Sequence, residues 1–322
     1  YLVCLLSFVM IFVPAQRAWS LDVLWGPSRP TPTIPAWALW LLRGQIAVPY
    51  FFGGIAKLNG DWLRGEPMRM WLAARTDFPV IGMWFTEEWM VYLFSYGGLL
   101  FDLLIVPLLL WRRTRWAALG VAIGFHLTNY GLFQIGIFPW MMIVASTLFL
   151  PPDWARRVLR RPSLPVMSAP MPITRRQIAV ASALTLFALY NIAMPLRHFL
   201  IPGDVNWTEE GHLFAWHMKL RDKDAEAQFY VTDPLTSQSW YVDPYDYLSY
   251  NQVDEMLSRP ELIRAFCQYI AARLVTETRP SVEVRVWSMV SLNGRPPQAM
   301  INPYVDLAAQ PVAAGWIMPL TE

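Results

Sequence analysis

The feature that most constrains this chain is a run of 37 residues, 116–152, that contains no Asp, Glu, Lys or Arg. A helix needs about 20 mostly apolar residues to cross a bilayer, so this run is too long for one perpendicular span and long enough for two short ones. Gly136 and Pro139 supply a break between two such helices. The run therefore predicts two short membrane spans.

More apolar segments are spaced along the first part of the chain. They are residues 1–13, 36–58, 89–111 and 177–196. The first looks like the remainder of a helix, because the sequence opens inside it with Tyr1 and shows neither the basic start nor the cleavage site of a signal peptide. We therefore expect an N-terminally truncated fragment of a longer protein, with upstream helices missing.

Charge divides the chain into two parts. Residues 1–202 hold 17 Lys or Arg and 8 Asp or Glu, whereas residues 203–322 hold 9 and 16. Over the whole chain 55% of residues are hydrophobic and 16% are charged, against roughly a quarter charged in ordinary soluble domains. These values exclude a disordered tail, and a net charge of +2 implies no basic face for nucleic acid. We predict a multi-span α-helical membrane bundle at 1–202 and a soluble, β-rich α+β domain at 203–322.

Arginine clusters indicate how the spans are oriented. Lys and Arg concentrate in cytoplasmic loops. The clusters at 112–115 and 156–176 share one side only if the run 116–152 crosses the membrane twice. The last span then carries the C-terminal domain to the opposite side, so we expect an integral membrane protein with a non-cytoplasmic C-terminal domain.

Periodicity predicts the elements outside the spans. Residues 59–86 are polar and aromatic with turn signals, which indicates a loop. Helical periodicity covers residues 253–278. Strands are predicted at 214–220, 227–232, 239–242 and 281–292.

Lys57 is the first candidate for chemistry, because an ionisable residue at membrane depth is costly and is by default a functional hypothesis. It follows the apolar stretch 46–56, in which Gly53 and Gly54 permit close helix packing or backbone exposure. Desolvation favours the neutral amine, which can act as a general base. A lysine that extends from a helix end to the interface is the competing interpretation, and position alone leaves both open.

His126 is the second candidate, because it lies inside the uncharged run. Asn129 is three residues later, on the same helical face. A neutral imidazole there can hold a proton or steady a developing anion, and a histidine that only joins two helices is the alternative. Asp102 and Arg43 are also at membrane depth, where we expect them to form a structural ion pair.

The sequence lacks the motifs of other common catalytic and binding sites. The four histidines, at 126, 198, 212 and 217, include no metal-binding spacing. No nucleotide-binding glycine motif and no nucleophile elbow occurs. The two cysteines, Cys4 and Cys267, are far apart and form no CxxC motif, so we expect free thiols and no metal.

A set of motifs is distributed over nearly the whole chain. In the apolar part they are Gly-Gly-Ile-Ala-Lys-Leu-Asn-Gly-Asp-Trp at 53–62, Gly-Gly-Leu-Leu-Phe-Asp-Leu at 97–103 and the stretch 125–138 around His126. In the polar part they are 206–208, 216–218, 290–293 and the Asn-Pro and Val-Asp pairs within 302–306. Together, and in this order, they resemble the vitamin K-dependent γ-glutamyl carboxylase family, in a bacterial-type version with an HTTM-like membrane domain.

The resemblance implies an enzyme of the bacterial inner membrane with a periplasmic or lumenal C-terminal domain. Its reaction would be γ-carboxylation of glutamate in a peptide or protein by CO2, coupled to epoxidation of reduced vitamin K (the hydroquinone) with O2. No metal is implied, and membrane lipid is the other partner. In this resemblance Lys57 is the base that deprotonates the hydroquinone, and His126 organises the site or stabilises an anion. The residues that match the family's glutamate and vitamin K region are Trp207, His212, Trp216 and Met218.

Other functions stay open at this point. A non-catalytic membrane protein could keep the same bundle to bind lipid or quinone, or to serve as a scaffold. A transporter could use Lys57 and His126 as proton-relay groups, although the sequence has no paired repeats of the kind that many transporters show. An epoxidase without a protein substrate is a third alternative.

Overall fold

The computed structural model describes residues 1–17, 20–26, 34–133, 135–160, 174–277, 279–311 and 315–321. They form two compact units that alternate along the chain. The helical unit consists of Tyr1–Ile55, Phe78–Val80 and Tyr96–Met194. The sheet unit consists of Ala56–Asp77, Ile81–Ser95 and Pro195–Glu322. Part of the arginine cluster at 156–176, together with Gln134 and Thr278 of the predicted segments, lies outside the described residues.

Helices are the regular elements of the described residues up to 194. They are α1 (Leu2–Phe12), α2 (Leu21–Leu24), α3 (Ala36–Ala56), α4 (Gly60–Leu63), α5 (Met68–Ala73), α6 (Glu88–Leu110), α7 (Arg115–Phe133), α8 (Phe138–Ser146), α9 (Trp154–Val158) and α10 (Arg175–Ala193). By length and composition, two described helices could cross a membrane: Glu88–Leu110 and Ile178–Leu200. Both coincide with predicted spans, and the number of spans in the chain stays a prediction.

The uncharged run folds as two helices with a break at the predicted place, and that both cross the membrane stays a prediction. Helix α7 ends at Phe133 and α8 begins at Phe138. Gly136, between them, has a φ of +60°, a left-handed conformation that suits glycine. Pro139 lies in the first turn of α8, where its missing N–H is not needed.

Close packing of α3 against α6 explains why residue 54 is a glycine. A Cβ atom placed on Gly54 would lie 2.6 Å from the Cδ2 atom and 3.2 Å from the backbone nitrogen of Leu103. A side chain at this position would therefore separate the two helices. The expectation of close helix packing is confirmed at Gly54.

The sheet unit contains a four-stranded antiparallel sheet with the order β2-β1-β3-β4. Its strands are β1 (Lys223–Thr232), β2 (Ser239–Val242), β3 (Glu283–Leu292) and β4 (Gln298–Ala299). In the register, Phe229 of β1 is opposite both Val242 of β2 and Val286 of β3. The strands predicted at 227–232, 239–242 and 281–292 are confirmed.

Helices of the sheet unit share a hydrophobic core with the sheet. They are α11 (Val205–Thr208), α12 (Tyr250–Leu257) and α13 (Pro260–Leu274). Burial alternates along β3, which presents its valines to the core. The other large contributors to this core are Trp207, Phe229, Val253, Ile263, Phe266 and Trp316.

Three predictions need correction. Residues 214–220 form no strand, because Phe214, Trp216 and Lys219 have positive φ angles that extended chains do not adopt. The helix predicted at 253–278 is two helices, since Pro260 has no N–H to continue α12 and instead starts α13. The loop predicted at 59–86 contains α4 and α5 and belongs largely to the sheet unit.

Candidate active site around Lys57 and a histidine cluster

Lys57 follows the last residue of α3 and lies in the sheet unit. Its side chain is buried (7% exposed), and its Nζ atom lies 5.2 Å from the centre of the Trp62 ring. The Trp62 indole donates a hydrogen bond of 2.8 Å to the Ser95 carbonyl. Asn59 caps α4 by accepting a hydrogen bond from the Trp62 backbone N–H. The cap and the indole bond fix the ring beside the amine.

Asp61 ties the segment after Lys57 to the end of β3. Its carboxylate accepts hydrogen bonds of 2.6 and 2.7 Å from Arg295 and one of 2.8 Å from the Asn293 amide. Burial alone would raise the pKa of Asp61, but the bonds from Arg295 and Asn293 and the charges of Arg295 and Arg64 hold it below its usual range. We call Asp61, Asn293 and Arg295 the clasp. It brings together two sequence motifs that are 232 residues apart.

Asn293 extends the clasp to the start of β1. Its side chain accepts a 2.8 Å hydrogen bond from the Asp222 backbone N–H, and its own N–H donates to the Asp222 carbonyl at 2.8 Å. The Asp222 carboxylate accepts a bond of 2.7 Å from the Trp71 indole. The segments around Trp71, Asp222 and Asn293 are therefore connected by polar contacts.

The loop from residue 209 to residue 219 has an unusual backbone. Its residues with positive φ angles are Glu209, Gly211, Phe214, Trp216 and Lys219. Only glycine adopts this region without a steric cost, and clusters of such residues mark places where surrounding structure holds the chain under strain. At Gly211 a Cβ atom would lie 3.0 Å from the Cα atom of His198. The loop can therefore approach His198 only with glycine at this position.

Three histidines gather at this loop. The ring of His217 lies 4.6 Å from that of His198 and 6.0 Å from that of His212, measured between ring centres. His217 is buried (8% exposed), and among the described residues neither of its ring nitrogens has a hydrogen-bond partner. His198 Nδ1 lies 2.6 Å from the Pro195 carbonyl oxygen. No group of three or more His, Cys, Asp or Glu side chains in the described part is arranged to hold a metal ion.

The surroundings keep two of these histidines neutral. Burial is the main cause that lowers the pKa of His217, and with the neighbouring groups His198, His212, Arg221 and Lys57 it brings that pKa to about 3. Burial and then the Arg221 guanidinium lower the pKa of His212 to about 4. The effect of Lys57 on His217 shows that its amine is within electrostatic range of this ring.

A buried ion-pair group holds both ends of the loop. Glu209 accepts a hydrogen bond of 2.6 Å from Arg221 and one of 2.9 Å from Lys223. Lys223 also donates to the carbonyls of Trp207 and Ser258, at 2.8 and 3.0 Å. Burial would raise the pKa of Glu209, but the charges of Lys223 and Arg221 lower it. The carboxylate is therefore ionised, and it holds the loop closed at its base.

His126 lies in the helical unit, on α7. It is 2% exposed, and its Nε2 atom lies 2.7 Å from the Tyr50 hydroxyl of α3. The rings of Phe101 and Phe125 contact the imidazole edge-on, with centres 5.8 and 5.4 Å away. The contact with Tyr50 makes His126 a link between two helices.

The other polar residues predicted in this region also lie in the helical unit. Arg43 donates hydrogen bonds of 2.8 and 3.1 Å to the carbonyls of Leu148 and Leu150. The sequence predicts that the Arg43 guanidinium pairs with Asp102. In the structure, backbone carbonyl oxygens hold this guanidinium. Asp102 is buried on α6 and is close enough to interact electrostatically with Tyr50, and Asn129 is half-buried on α7.

Residues predicted to bind substrate occupy different environments. Trp207 belongs to the core of the sheet unit, and its indole donates a 2.7 Å hydrogen bond to the Met318 carbonyl. Trp216 is buried and Met218 is half-buried, one on each side of His217 in the sequence. Both ring nitrogens of His212 lie 3.2–3.3 Å from guanidinium nitrogens of Arg221.

Sequence reasoning did not single out His217 or the clasp. Two signals for His217 are in the sequence: it lies in the motif 216–218, and three of the four histidines lie within 20 residues, at 198, 212 and 217. The sequence contains both motifs joined by the clasp, at 53–62 and 290–293, but nothing in it states that Asp61 meets Asn293. Arg295 lies just outside the second motif.

Two models of known protein domains match successive parts of the chain. A model of the HTTM domain matches residues 1–154. A model described as "Vitamin K-dependent gamma-carboxylase, lumenal domain" matches residues 176–322. The second match includes the histidine cluster, β1–β4, Asn293 and Arg295, whereas Lys57 and Asp61 are in the first. No solved structure matches the chain.

Proposed function

We propose that this chain, which belongs to the vitamin K-dependent gamma-carboxylase family, is a membrane enzyme that carboxylates the γ-carbon of glutamate in a peptide or protein substrate. The family implies a membrane protein with a lumenal domain that uses vitamin K hydroquinone. We assign to it the coupled reaction, in which CO2 is added to glutamate while the quinol is epoxidised with O2.

The observation that carries this proposal is the position of Lys57. The residue comes from the part of the chain matched by the HTTM domain, yet it folds into the same unit as the residues matched by the carboxylase lumenal domain. The clasp fixes Asp61, four residues after Lys57, to Asn293 and Arg295 of that domain. A lysine that merely extended from a helix end to the interface would not need this support.

In this proposal Lys57 is the base. Its Nζ atom accepts a proton from a hydroquinone hydroxyl, which only the neutral amine can do. The Trp62 ring limits the positions that the amine can take.

These residues fit an aromatic diol as the cofactor. A buried amine beside an indole ring offers a proton acceptor next to an apolar surface, and a hydroquinone presents both an acidic hydroxyl and an aromatic face. Reduced vitamin K, when bound, would be oxidised by O2 and would in this way supply the strong base that removal of the glutamate γ-proton requires. Lys57 and Trp62 would hold the edge of the hydroquinone ring. His212, Trp216 and Met218 are proposed to line the same site.

Two other predicted residues receive supporting roles. We propose that His126, held by Tyr50 at 2.7 Å, has an organising or anion-stabilising role within the helical unit. We propose that Trp207 acts on substrate binding indirectly, because its indole and carbonyl anchor Met318 and Lys223 within the core.

We further propose the predicted membrane arrangement, with residues 1–202 as a multi-span bundle and 203–322 on the periplasmic side of a bacterial inner membrane. The sheet unit supports it, because Ala56–Asp77 and Ile81–Ser95 fold together with Pro195–Glu322. In the orientation inferred from the arginines, the start of α6 and the end of the last span both face the non-cytoplasmic side. The segments that fold together are therefore on the same side.

The test is a carboxylation assay in membranes that contain the full-length protein. It supplies reduced vitamin K, O2, labelled bicarbonate and a glutamate peptide, and it measures both fixed label and vitamin K epoxide. Lys57→Ala is compared with Lys219→Ala, which removes an exposed lysine whose amine also lies over an indole, that of Trp71, at 5.4 Å. Loss of a general base lowers the rate by about a hundredfold or more.

Wild type and Lys219→Ala are expected to fix label and form epoxide, and Lys57→Ala is expected to do neither. A wild-type protein that does neither would refute the enzymatic function. Epoxide without fixed label would indicate an epoxidase without a protein substrate. Full activity of Lys57→Ala would leave the reaction standing and show that another group is the base.

A further inference from the structure

We propose that His217 is a ligand-binding residue of the Lys57 site, whose neutral imidazole hydrogen-bonds to the quinol hydroxyl on which Lys57 acts. This inference rests on the proposed function and adds a residue that sequence reasoning did not select.

The unmet hydrogen-bonding capacity of His217 is the main observation. Buried polar side chains almost always have partners, because a buried donor or acceptor without one is destabilising. Among the described residues His217 has a partner at neither ring nitrogen, although it is 8% exposed. A purely structural histidine, such as one that joins two helices, would have at least one such bond. The ring is therefore available to a molecule from outside the chain.

The backbone holds this ring in place at a steric cost. Trp216, immediately before His217, has a φ of +60°, and Phe214 and Lys219 also have positive φ angles. Glu209, Arg221 and Lys223 close the loop at its base. Strain of this kind persists only where the surrounding structure imposes it, and it is frequent at ligand sites.

The neighbours of His217 select the chemistry of the ligand. The titratable and charged groups with the largest effects on the ring are His198, His212, Arg221 and Lys57. None of them is a carboxylate, so nothing among these groups stabilises an imidazolium, and burial opposes it further. A neutral imidazole donates at one nitrogen and accepts at the other. A hydroxyl whose proton goes to the Lys57 amine matches the donor nitrogen, because its oxygen accepts the imidazole N–H.

The experiment compares two substitutions in the full-length protein. His217→Leu removes both hydrogen-bonding atoms, whereas His217→Gln keeps one donor and one acceptor without the ability to relay a proton. Equilibrium binding of reduced vitamin K is measured under anaerobic conditions, so that no turnover occurs, and the thermal unfolding midpoint is measured without ligand. Carboxylation kinetics are followed from pH 6 to pH 9. Leu235→Ala, in the exposed turn between β1 and β2, is the control.

His217→Leu is expected to bind reduced vitamin K about tenfold more weakly and to unfold at the same or a higher temperature, because an unsatisfied buried group has been removed. His217→Gln is expected to bind within about threefold of wild type with an unchanged pH profile. Wild-type binding by His217→Leu, or a lower unfolding temperature, would overturn the inference. Normal binding by His217→Gln with a large loss of kcat would also overturn it, since that result indicates a proton relay.

These outcomes separate the inference from the proposed function. If wild type neither binds reduced vitamin K nor carboxylates, both fail. If wild type carboxylates and His217→Leu binds the quinol as wild type does, only the inference about His217 fails.

Discussion

The buried histidines His126 and His217 lie in different units and are held in different ways. His126 is on a regular helix, and its Nε2 atom meets the Tyr50 hydroxyl of a neighbouring helix. His217 is on a strained loop, and neither of its nitrogens has a partner among the described residues. Burial alone therefore does not identify a functional histidine. Unmet hydrogen bonds on a strained backbone are the stronger indication.

The buried charged side chains of the two units also have different kinds of partners. In the helical unit the Arg43 guanidinium donates to two backbone carbonyls. In the sheet unit Asp61 pairs with Arg295 and Asn293, which come from a segment more than 230 residues away in sequence. The helical unit thus satisfies Arg43 at a neighbouring helix end, whereas the sheet unit uses charge to join distant segments near Lys57.

The largest expected effect follows from opening the clasp. Asp61→Asn leaves Arg295 without its carboxylate, and we expect the free energy of unfolding to fall by about 2–3 kcal/mol. Carboxylation should fall as well, because Lys57 loses its anchor to the lumenal domain. Thermal unfolding in detergent and the label-fixation assay measure the two effects.

A charge exchange tests whether the pair itself is responsible. The double variant Asp61→Arg with Arg295→Asp keeps opposite charges at the two positions, and it is expected to recover part of the stability that either single substitution loses. If Asp61→Asn unfolds as wild type does, the clasp contributes nothing and the comparison between the units loses its main support.

Acid is expected to have the next largest effect, and to act through the histidine cluster. The pKa values of His212 and His217 are about 4 and about 3 in the folded protein, below the ordinary value of 6.5. At a pH between the folded-state pKa values and 6.5, the unfolded chain binds protons at these histidines that the folded chain does not. The stability that the two neutral histidines contribute is therefore fully present above pH 6.5 and is lost as pH falls. We expect the free energy of unfolding to drop by about 2 kcal/mol from pH 7 to pH 5.

The control for acid sensitivity is a double variant. Replacing His212 and His217 with Gln removes both titrations, so urea unfolding of this variant should depend less on pH over the same range. An equal loss of stability in wild type and in the double variant would show that other groups cause the acid effect.

Glycine substitutions should have the smallest effects, with opposite signs in the two units. Gly211→Ala places a Cβ atom 3.0 Å from the Cα atom of His198 at a φ of +73°, so it should destabilise the protein by about 1–2 kcal/mol. On α7, no described heavy atom lies within 4 Å of a Cβ placed on Gly120. Gly120→Ala should therefore stabilise the protein by about 0.5–1 kcal/mol. Thermal unfolding measures both, and equal signs would contradict the contrast.

The sequence predicted the parts of the fold that depend on local pattern. The break between α7 and α8 follows from Gly136 and Pro139, and β2 has the predicted bounds because alternation and turn residues define it. Residues 214–220 have the composition of a strand, but closure of the loop by Glu209 with Arg221 overrides local preference. Contacts of this kind depend on the tertiary fold and cannot be read from spacing.

The candidate site was predictable to a similar extent. Lys57 and His126 stand out because ionisable groups are rare in apolar segments, and the role of each in catalysis stays a prediction. His217 lies outside the predicted spans, where a histidine is unremarkable, so its burial and its missing partners among the described residues appear only in three dimensions. The same holds for Arg295, one of many arginines until its contact with Asp61 is known.

The central claim, that Lys57 is the base of a quinol-dependent carboxylase, is tested most directly by chemical rescue. Lys57→Ala leaves space where the side chain was, and small primary amines of graded basicity are added during the carboxylation assay. The account predicts that label fixation returns in proportion to the concentration of the neutral amine, while wild type and Lys219→Ala do not respond. Full activity of Lys57→Ala without amine, or a correctly folded Lys57→Ala protein that no amine rescues, would contradict it.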